Sequence, residues 1–275
     1  MLHTFLATPL GQPAWWAPGF SEPISLDDHE YARHVIVLGQ RGSGVDFSVW
    51  AMARANLTQG RSLVWIDAPF SARALSVFRK VAQETGRQEQ ARIFLPALMH
   101  TAELQAEWGQ ALQEPSPENL RAALVQPGSM MFVGLPALED HHEAQSIQGA
   151  LYQSMHEEAQ RQPLNHLVVS FFPLEVPTSL LDQGSKAGVR FMLVAQSLAS
   201  LAMYERMSRV ATGVLHRAQA HDVVSVKALE QLAKRCGVRS AQALSSLCRD
   251  LDGHGPGVAS LLRAGQSFRT VIPVV

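Results

Sequence analysis

One short glycine-rich segment combines residue types and spacing that can do chemistry. It consists of Gly39, Gln40, Arg41, Gly42, Ser43, Gly44, Val45 and Asp46. We call this segment the glycine loop. Loops that bind phosphate read G-x-x-x-x-G-K-[ST] between a strand and a helix, because glycines let backbone N–H groups turn inward and hold phosphate oxygens at a helix N-terminus. The spacing of Gly39 and Gly44 therefore predicts the shape of a phosphate-binding loop.

Two residues of that motif are replaced in the glycine loop. Val45 stands where a lysine neutralises the β- and γ-phosphates, and Asp46 stands where a hydroxyl holds Mg²⁺. Two like unit charges ~4 Å apart repel by about 4 kcal/mol at an effective dielectric constant of ~20. The Asp46 carboxylate therefore predicts poor nucleotide affinity unless Mg²⁺ bridges the charges. By itself, the loop is also compatible with an ordinary glycine turn between a strand and a helix.

Short apolar runs alternate along the chain with longer stretches of helical periodicity. The predicted strands are His34–Leu38, Ser62–Ile66, Arg92–Leu95, Met130–Leu135, His166–Phe172, Arg190–Ala195 and Gly213–His216. The predicted helices are Val45–Thr58, Phe70–Thr85, His141–Arg161, Val176–Gln183 and Ser197–Arg206. This alternation predicts an α/β fold in which crossover helices join mostly parallel strands. Because the strands are apolar throughout, we expect helices on both faces of the sheet.

The two ends of the chain depart from this alternation. Residues 1–30 contain prolines and a tryptophan pair, and we interpret them as an extended N-terminal arm. Towards the C-terminus, the sequence predicts two helices within His221–Leu251 and a closing β-hairpin formed by Gly257–Leu262 and Phe268–Val274.

The composition excludes several classes of function. With 23 Lys+Arg and 24 Asp+Glu the formal net charge is −1, and no dense basic cluster occurs, which argues against a nucleic-acid-binding surface. The longest apolar runs are strand-sized and far shorter than the ~20 residues of a membrane-spanning helix. The two cysteines, Cys236 and Cys248, have neither metal-site spacing nor a disulfide framework. We therefore expect a cytoplasmic globular protein without a membrane span.

Several blocks, in their order and spacing, resemble the FtsK–HerA group of P-loop ATPases, and within it most nearly the coupling proteins of conjugation and type IV secretion. The blocks are His34–Gly44, Gly60–Pro69, Met130–Pro136 with Glu139–Glu158, Leu167–Phe172, Gly184–Gln196 and Gly257–Gly265. The likeness covers residues 31–275 and implies one RecA-like domain there. The family's large helical insertion is reduced to 101–126 or lost.

The residues that the family uses for catalysis are absent at the matching positions. The acid that holds Mg²⁺ and the glutamate that activates water correspond to Ser170 and Phe171. A phenylalanine can neither orient nor deprotonate water. Two polar residues of the family pattern remain, Asp67 at the end of the second strand and Gln196 at the sensor strand. An arginine of the family is replaced by Ser185.

A metal site and a cofactor are not expected. His141, His142 and Glu143 are metal-binding residue types, but adjacent helix residues face different directions and no third ligand is identifiable.

Phosphoryl transfer depends on positioning and charge neutralisation, and this sequence lacks the groups that supply both. The resemblance therefore implies a pseudo-ATPase, a catalytically inactive interaction or assembly module of a conjugation or type IV secretion system. Its expected partners are proteins of that machine, including an active coupling ATPase or a second copy. We expect it in the cytoplasm, at the periphery of an inner-membrane secretion complex. Two alternatives remain open: a divergent NTPase with Asp46 and Asp67 on the metal, and a ring protein that binds DNA.

Overall fold

Strands and helices alternate through most of the chain. The computed structural model describes residues 8–13, 24–26, 34–40, 42–136, 141–171, 176–177, 179–181, 188–197, 210–218, 222–255, 258–263 and 266–271. The strands are β1 (Thr8–Pro13), β2 (Ile24–Leu26), β3 (His34–Leu38), β4 (Ser62–Asp67), β5 (Ala91–Phe94), β6 (Leu112–Gln113), β7 (Met130–Gly134), β8 (His166–Phe171), β9 (Val189–Ala195), β10 (Val210–Leu215), β11 (Val258–Arg263) and β12 (Gln266–Val271). The α-helices are α1 (Val45–Thr58), α2 (Ala72–Glu84), α3 (Ala102–Trp108), α4 (Pro117–Leu124), α5 (His141–Arg161), α6 (Val223–Arg235) and α7 (Ala241–Asp252).

Helix starts follow from the residue that precedes them. Ser71, Thr101, Ser116, Asp222 and Ser240 each accept, through a side-chain oxygen, a hydrogen bond from a backbone N–H in the first turn of their helix. Such N-caps satisfy backbone donors that have no partner inside the helix, and each contributes about 1 kcal/mol. The caps fix where α2, α3, α4, α6 and α7 begin.

The chain divides into two compact units, residues 1–55 with 190–275 and residues 56–189. In the first unit the strand order is β2-β1-β12-β11-β10-β3-β9. Strand β3 pairs in parallel with β9 and β10, and the remaining pairs are antiparallel. The loop that follows β3 therefore leaves a strand with parallel neighbours on both sides.

The second unit has the strand order β8-β4-β7-β5-β6, and all of its pairs are parallel. Every residue of β4 and β7 is buried. Because both side-chain faces of these strands are excluded from water, the sheet is covered on both sides. An aromatic cluster forms part of this core, in which the Phe78 ring lies 6.3 Å from that of Trp65 and 5.5 Å from that of Phe132.

The predicted α/β class is confirmed, and the predicted elements between residues 34 and 171 occur close to their expected limits. The two C-terminal helices and the closing hairpin also form. The hairpin is shifted from its prediction, since its strands are Val258–Arg263 and Gln266–Val271 and its turn is shorter than expected. Pairing of Arg263 with Gln266 leaves only two residues between the strands.

Some predictions lie outside the described residues. The predicted helix Ser197–Arg206 falls there almost entirely, as do position 185 and three of the eight residues of the predicted helix Val176–Gln183. The described part of the expected N-terminal arm forms β1 and β2, with β1 pairing to both β2 and β12. The segment expected as a helical insertion contains α3, α4 and the short strand β6. The division into an arm and one domain stays a prediction.

Candidate functional site

The first two residues of the glycine loop form backbone hydrogen bonds at the ends of both neighbouring strands, β9 and β10. Strand β3 ends at Leu38, and the next amide, that of Gly39, donates to the Ala195 carbonyl at the end of β9 at 3.0 Å. The Gln40 amide donates to the Arg217 carbonyl beyond β10 at 2.9 Å. These two bonds extend the parallel ladders past β3, so the loop begins at a fixed point between β9 and β10.

A tight turn forms the centre of the loop. The amide and the hydroxyl of Ser43 both donate to the Gln40 carbonyl, at 3.1 and 2.6 Å. Gly42 and Gly44 have φ of +78° and +107°, a region that side chains rarely allow. Arg41 lies outside the described residues. The turn thus uses the Ser43 N–H within the loop, whereas a phosphate-binding loop directs its N–H groups to the anion.

A buried histidine underlies the loop. His216, directly after β10, has no exposed surface. Its Nδ1 lies 3.1 Å from the Ser43 carbonyl oxygen and its Nε2 lies 2.8 Å from the Ser48 hydroxyl on α1. A carbonyl can only accept, so Nδ1 donates and Nε2 accepts from Ser48. Burial lowers the pKa of His216 to about 4, with a smaller contribution from nearby His254, which keeps the imidazole neutral.

The absence of a side chain at Gly39 is required by this packing. A Cβ there would lie 2.6 Å from the His216 Cβ, 2.6 Å from the Ser43 hydroxyl and 2.8 Å from a Val45 methyl group. Val45 therefore folds back over the start of the loop. Asp46 is half-buried in the first turn of α1, where a negative charge suits the helix dipole.

Gln196, the glutamine predicted at the sensor strand, directly follows Ala195. Because the Ala195 carbonyl accepts from the Gly39 amide, the backbone of Gln196 lies next to the start of the glycine loop. Its side chain is exposed.

In the second unit, Asp67 ends β4 and has a structural partner. One oxygen of its buried carboxylate, Oδ2, accepts from the Ser71 amide at 2.6 Å and from the Ser71 hydroxyl at 3.0 Å. The same hydroxyl accepts from the Ala74 amide at 3.2 Å and caps α2. Asp67 therefore anchors the turn that leads from β4 into α2.

Ser170 and Phe171 lie at the end of β8, beside β4, where Ile66 pairs with Ser170. The Ser170 side chain is buried and is hydrogen-bonded to the Tyr152 hydroxyl, which also accepts from Gln148 Nε2 at 3.1 Å. Burial raises the pKa of Tyr152 to about 12, so its hydroxyl stays protonated. Ser170 thus takes part in a neutral network with α5.

Phe171 points to the other face of the sheet. Its ring stacks on Trp65 of β4, with 5.4 Å between the ring centroids and 25° between the planes. Asp67, Ser170 and Phe171 therefore meet at one edge of the second unit, but that edge holds an engaged carboxylate, a hydroxyl and an aromatic ring. Within the part of this edge that the structure describes, there is no second acid beside Asp67 to hold a metal or activate water.

Among the described residues, no group of three or more His, Cys, Asp or Glu side chains is arranged to hold a metal ion. His142 and Glu143 lie at the exposed start of α5. A search of the same residues for helices long and apolar enough to cross a membrane finds none.

The sequence did not indicate the residues that hold these positions in place. His216 lies 173 residues from Ser43, and its only signal was its place at the end of a predicted strand. Tyr152 and Gln148 lie one helical turn apart on α5 and carry no recognisable motif. Only the strand order and the helix packing bring them to Ser43 and Ser170.

No protein-family model matches the chain, and a search of curated protein sequences finds no match. Solved structures are similar in fold. A bacterial conjugative coupling protein, TrwBΔN70, matches with a TM-score of 0.58 and 12% identity, over 92% of this chain and 87% of TrwBΔN70. VirB4 of Thermoanaerobacter pseudethanolicus matches with a TM-score of 0.51 and 10% identity, over 97% and 96%.

The genome packaging NTPase B204 from Sulfolobus turreted icosahedral virus 2 matches with a TM-score of 0.51 and 9% identity, over 88% of this chain and 98% of B204. All three neighbours are members of the FtsK–HerA superfamily. The chain therefore has the RecA-like P-loop NTPase fold of FtsK–HerA proteins, and the resemblance predicted from the sequence is confirmed for the fold.

Proposed function

We propose that this chain is a pseudo-ATPase, a P-loop NTPase fold that does not hydrolyse nucleotide and acts through protein contacts in a conjugation or type IV secretion system. The observation that carries the proposal is the end of β8. There Ser170 binds Tyr152 and Phe171 stacks on Trp65, so neither position offers an acid or a base. Catalysis of phosphoryl transfer needs a held metal and an oriented nucleophile at this point.

The glycine loop supports the same proposal independently. Val45 supplies no positive charge and packs against Gly39, while Asp46 adds a carboxylate at the helix N-terminus. Preorganised positive groups account for most of the stabilisation of a transferring phosphoryl group. At positions 45 and 46 the glycine loop has an apolar side chain and a carboxylate, where the family has a lysine and a hydroxyl.

The likeness of the fold to conjugation and type IV secretion ATPases supports the system in which the chain works. The partners that we propose are proteins of such a machine: an active coupling ATPase, a substrate adaptor or a second copy of this chain. The chain works in the cytoplasm, at the periphery of the inner-membrane complex.

The test is a titration of the purified chain with Mg²⁺–ATP by calorimetry, together with a thermal melt and a phosphate-release assay. We expect no saturable heat at millimolar nucleotide, no rise in Tm and no phosphate release. The chain with Gly44→Ala provides the matched control, because its loop is altered and any trace of contaminating ATPase remains. Turnover that the Gly44→Ala change abolishes contradicts the proposal.

A divergent NTPase that used Asp67 on its metal makes a different prediction. Its Mg²⁺–nucleotide affinity falls in the Asp67→Asn variant. The contact of Asp67 Oδ2 with Ser71 disfavours that use, since the carboxylate already accepts two hydrogen bonds.

A further inference from the structure

The glycine loop is held from the inside of the protein. His216 binds the carbonyl of Ser43 in the loop and the hydroxyl of Ser48 one turn into α1. One neutral ring therefore connects the centre of the loop to the helix that follows it. Both His216 and Ser48 have no exposed surface, so water does not compete for these two bonds.

This arrangement also sets the direction of the loop backbone. The carbonyl of a trans peptide and the following N–H point in opposite directions. Because the Ser43 carbonyl faces His216, the Gly44 N–H points away from the imidazole. The Ser43 amide and hydroxyl close the turn onto Gln40, and His216 packs so closely against Gly39 that a Cβ at Gly39 would lie 2.6 Å from the His216 Cβ.

In a phosphate-binding loop, the backbone N–H groups donate hydrogen bonds to an anion that lies on the solvent side of the loop. In the glycine loop, an imidazole holds a backbone carbonyl from the opposite side. We propose that His216 is an internal clamp that keeps the glycine loop in one conformation without a bound ligand. The role of the clamp rests on the proposed function, in which no nucleotide is present to order the loop, whereas the clamp itself is argued from the two hydrogen bonds of His216.

The test is hydrogen exchange of the full chain, followed by mass spectrometry of peptides that cover residues 38–48. His216→Ala removes both bonds, and we expect exchange of the loop amides to rise by about tenfold, which corresponds to a net loss of about 1.4 kcal/mol from the two bonds together. His216→Asn keeps a donor at the Nδ1 position, so it restores most of the protection. Ser48→Ala removes one bond and gives an intermediate rate.

His34→Ala is the matched control. His34 is also buried and starts β3, at the end opposite the loop, where its Nδ1 accepts from the Phe191 amide at 3.1 Å. We expect this variant to lower global stability without a selective change in the loop. Equal loop exchange in His216→Ala and His34→Ala, after normalisation to peptides of β7, overturns the clamp.

The wild-type chain separates the two proposals. If its loop exchanges rapidly and becomes protected only when Mg²⁺–ATP is added, the clamp is wrong. If instead the clamp variants behave as expected but the wild type hydrolyses ATP, the proposed function fails and the clamp stands. Should His216→Ala not fold, His216→Asn and Ser48→Ala still report on each bond.

Discussion

At the scale of single residues, the buried neutral imidazole of His216 has a measurable consequence for stability. Its pKa is about 4 in the folded chain, below the value of ~6.5 for an unfolded histidine. Between these two pH values the unfolded state binds more protons than the folded state. The contribution of the neutral His216 ring to the free energy of unfolding is therefore fully present above about pH 6.5 and decreases as the pH drops towards 4.

We expect His216 to remove about 2 kcal/mol of stability between pH 7 and pH 5, at 1.36 kcal/mol for each unit below the unfolded pKa. Urea unfolding of the wild type and of His216→Asn at both pH values measures this difference. The variant should lose less stability than the wild type over the same interval. An equal loss in both proteins would show that the His216 ring titrates normally.

Gly39 and Gly42 lie in the same loop but need glycine for different reasons. A methyl group at Gly39 meets His216 and Ser43 at 2.6 Å, whereas Gly42 has φ of +78° and open space around it. We expect Gly39→Ala to destabilise the chain by about 1–3 kcal/mol, the usual cost of overpacking. Gly42→Asn should cost less, because asparagine adopts a positive φ more readily than other residues. Chemical denaturation measures both, and equal costs would contradict the close packing at Gly39.

At the scale of elements, the proposed function attributes the lack of ATP hydrolysis to two separate places, the glycine loop with α1 and the end of β8. Restoring the loop repairs one of them. We expect the double variant Val45→Lys, Asp46→Thr to bind Mg²⁺–ATP, because it regains a cation and a metal-holding hydroxyl. At a ligand concentration of ~100 times Kd, binding adds about 2.7 kcal/mol of stability, which a thermal melt detects.

The same variant should still release no phosphate, since Ser170 and Phe171 remain engaged with Tyr152 and Trp65. The matched control is Ser170→Asp, Phe171→Glu with an unchanged loop, in which we expect neither binding nor hydrolysis. Phosphate release by the loop variant alone would show that the catalytic acid lies elsewhere.

At the scale of the whole molecule, the charge balance limits the partners. The formal net charge is −1, and binding of a protein to DNA gains its affinity from phosphate contacts by Lys and Arg. We expect fluorescence anisotropy with labelled single- and double-stranded DNA to show no specific binding, and any weak binding at ~50 mM salt to disappear at ~200 mM. Binding that persists at the higher salt concentration would favour the ring protein that binds DNA.

The sequence by itself determined the order of strands and helices and the residue types at the positions that match the family's catalytic residues. Both are local properties, because periodicity spans a single element and a motif spans a few adjacent positions. Thus β3 and α1 occur at the predicted limits, and Val45, Asp46, Ser170 and Phe171 are read directly from the chain. The hairpin register was less predictable, since a turn can shift by a residue or two without changing the apolar pattern of its strands.

Only the tertiary structure decided which side chains contact the glycine loop and which contact the end of β8. The clamp joins Ser43 to His216, and the network at β8 joins Ser170 to Tyr152, over separations that no local pattern encodes. Such contacts depend on the placement of β10 beside β3 and on the packing of α5. The physical reason is that a buried polar group needs a hydrogen-bond partner, and that partner can come from any residue that lies next to it in the fold. The order of the strands, rather than distance along the sequence, decides which residues are neighbours.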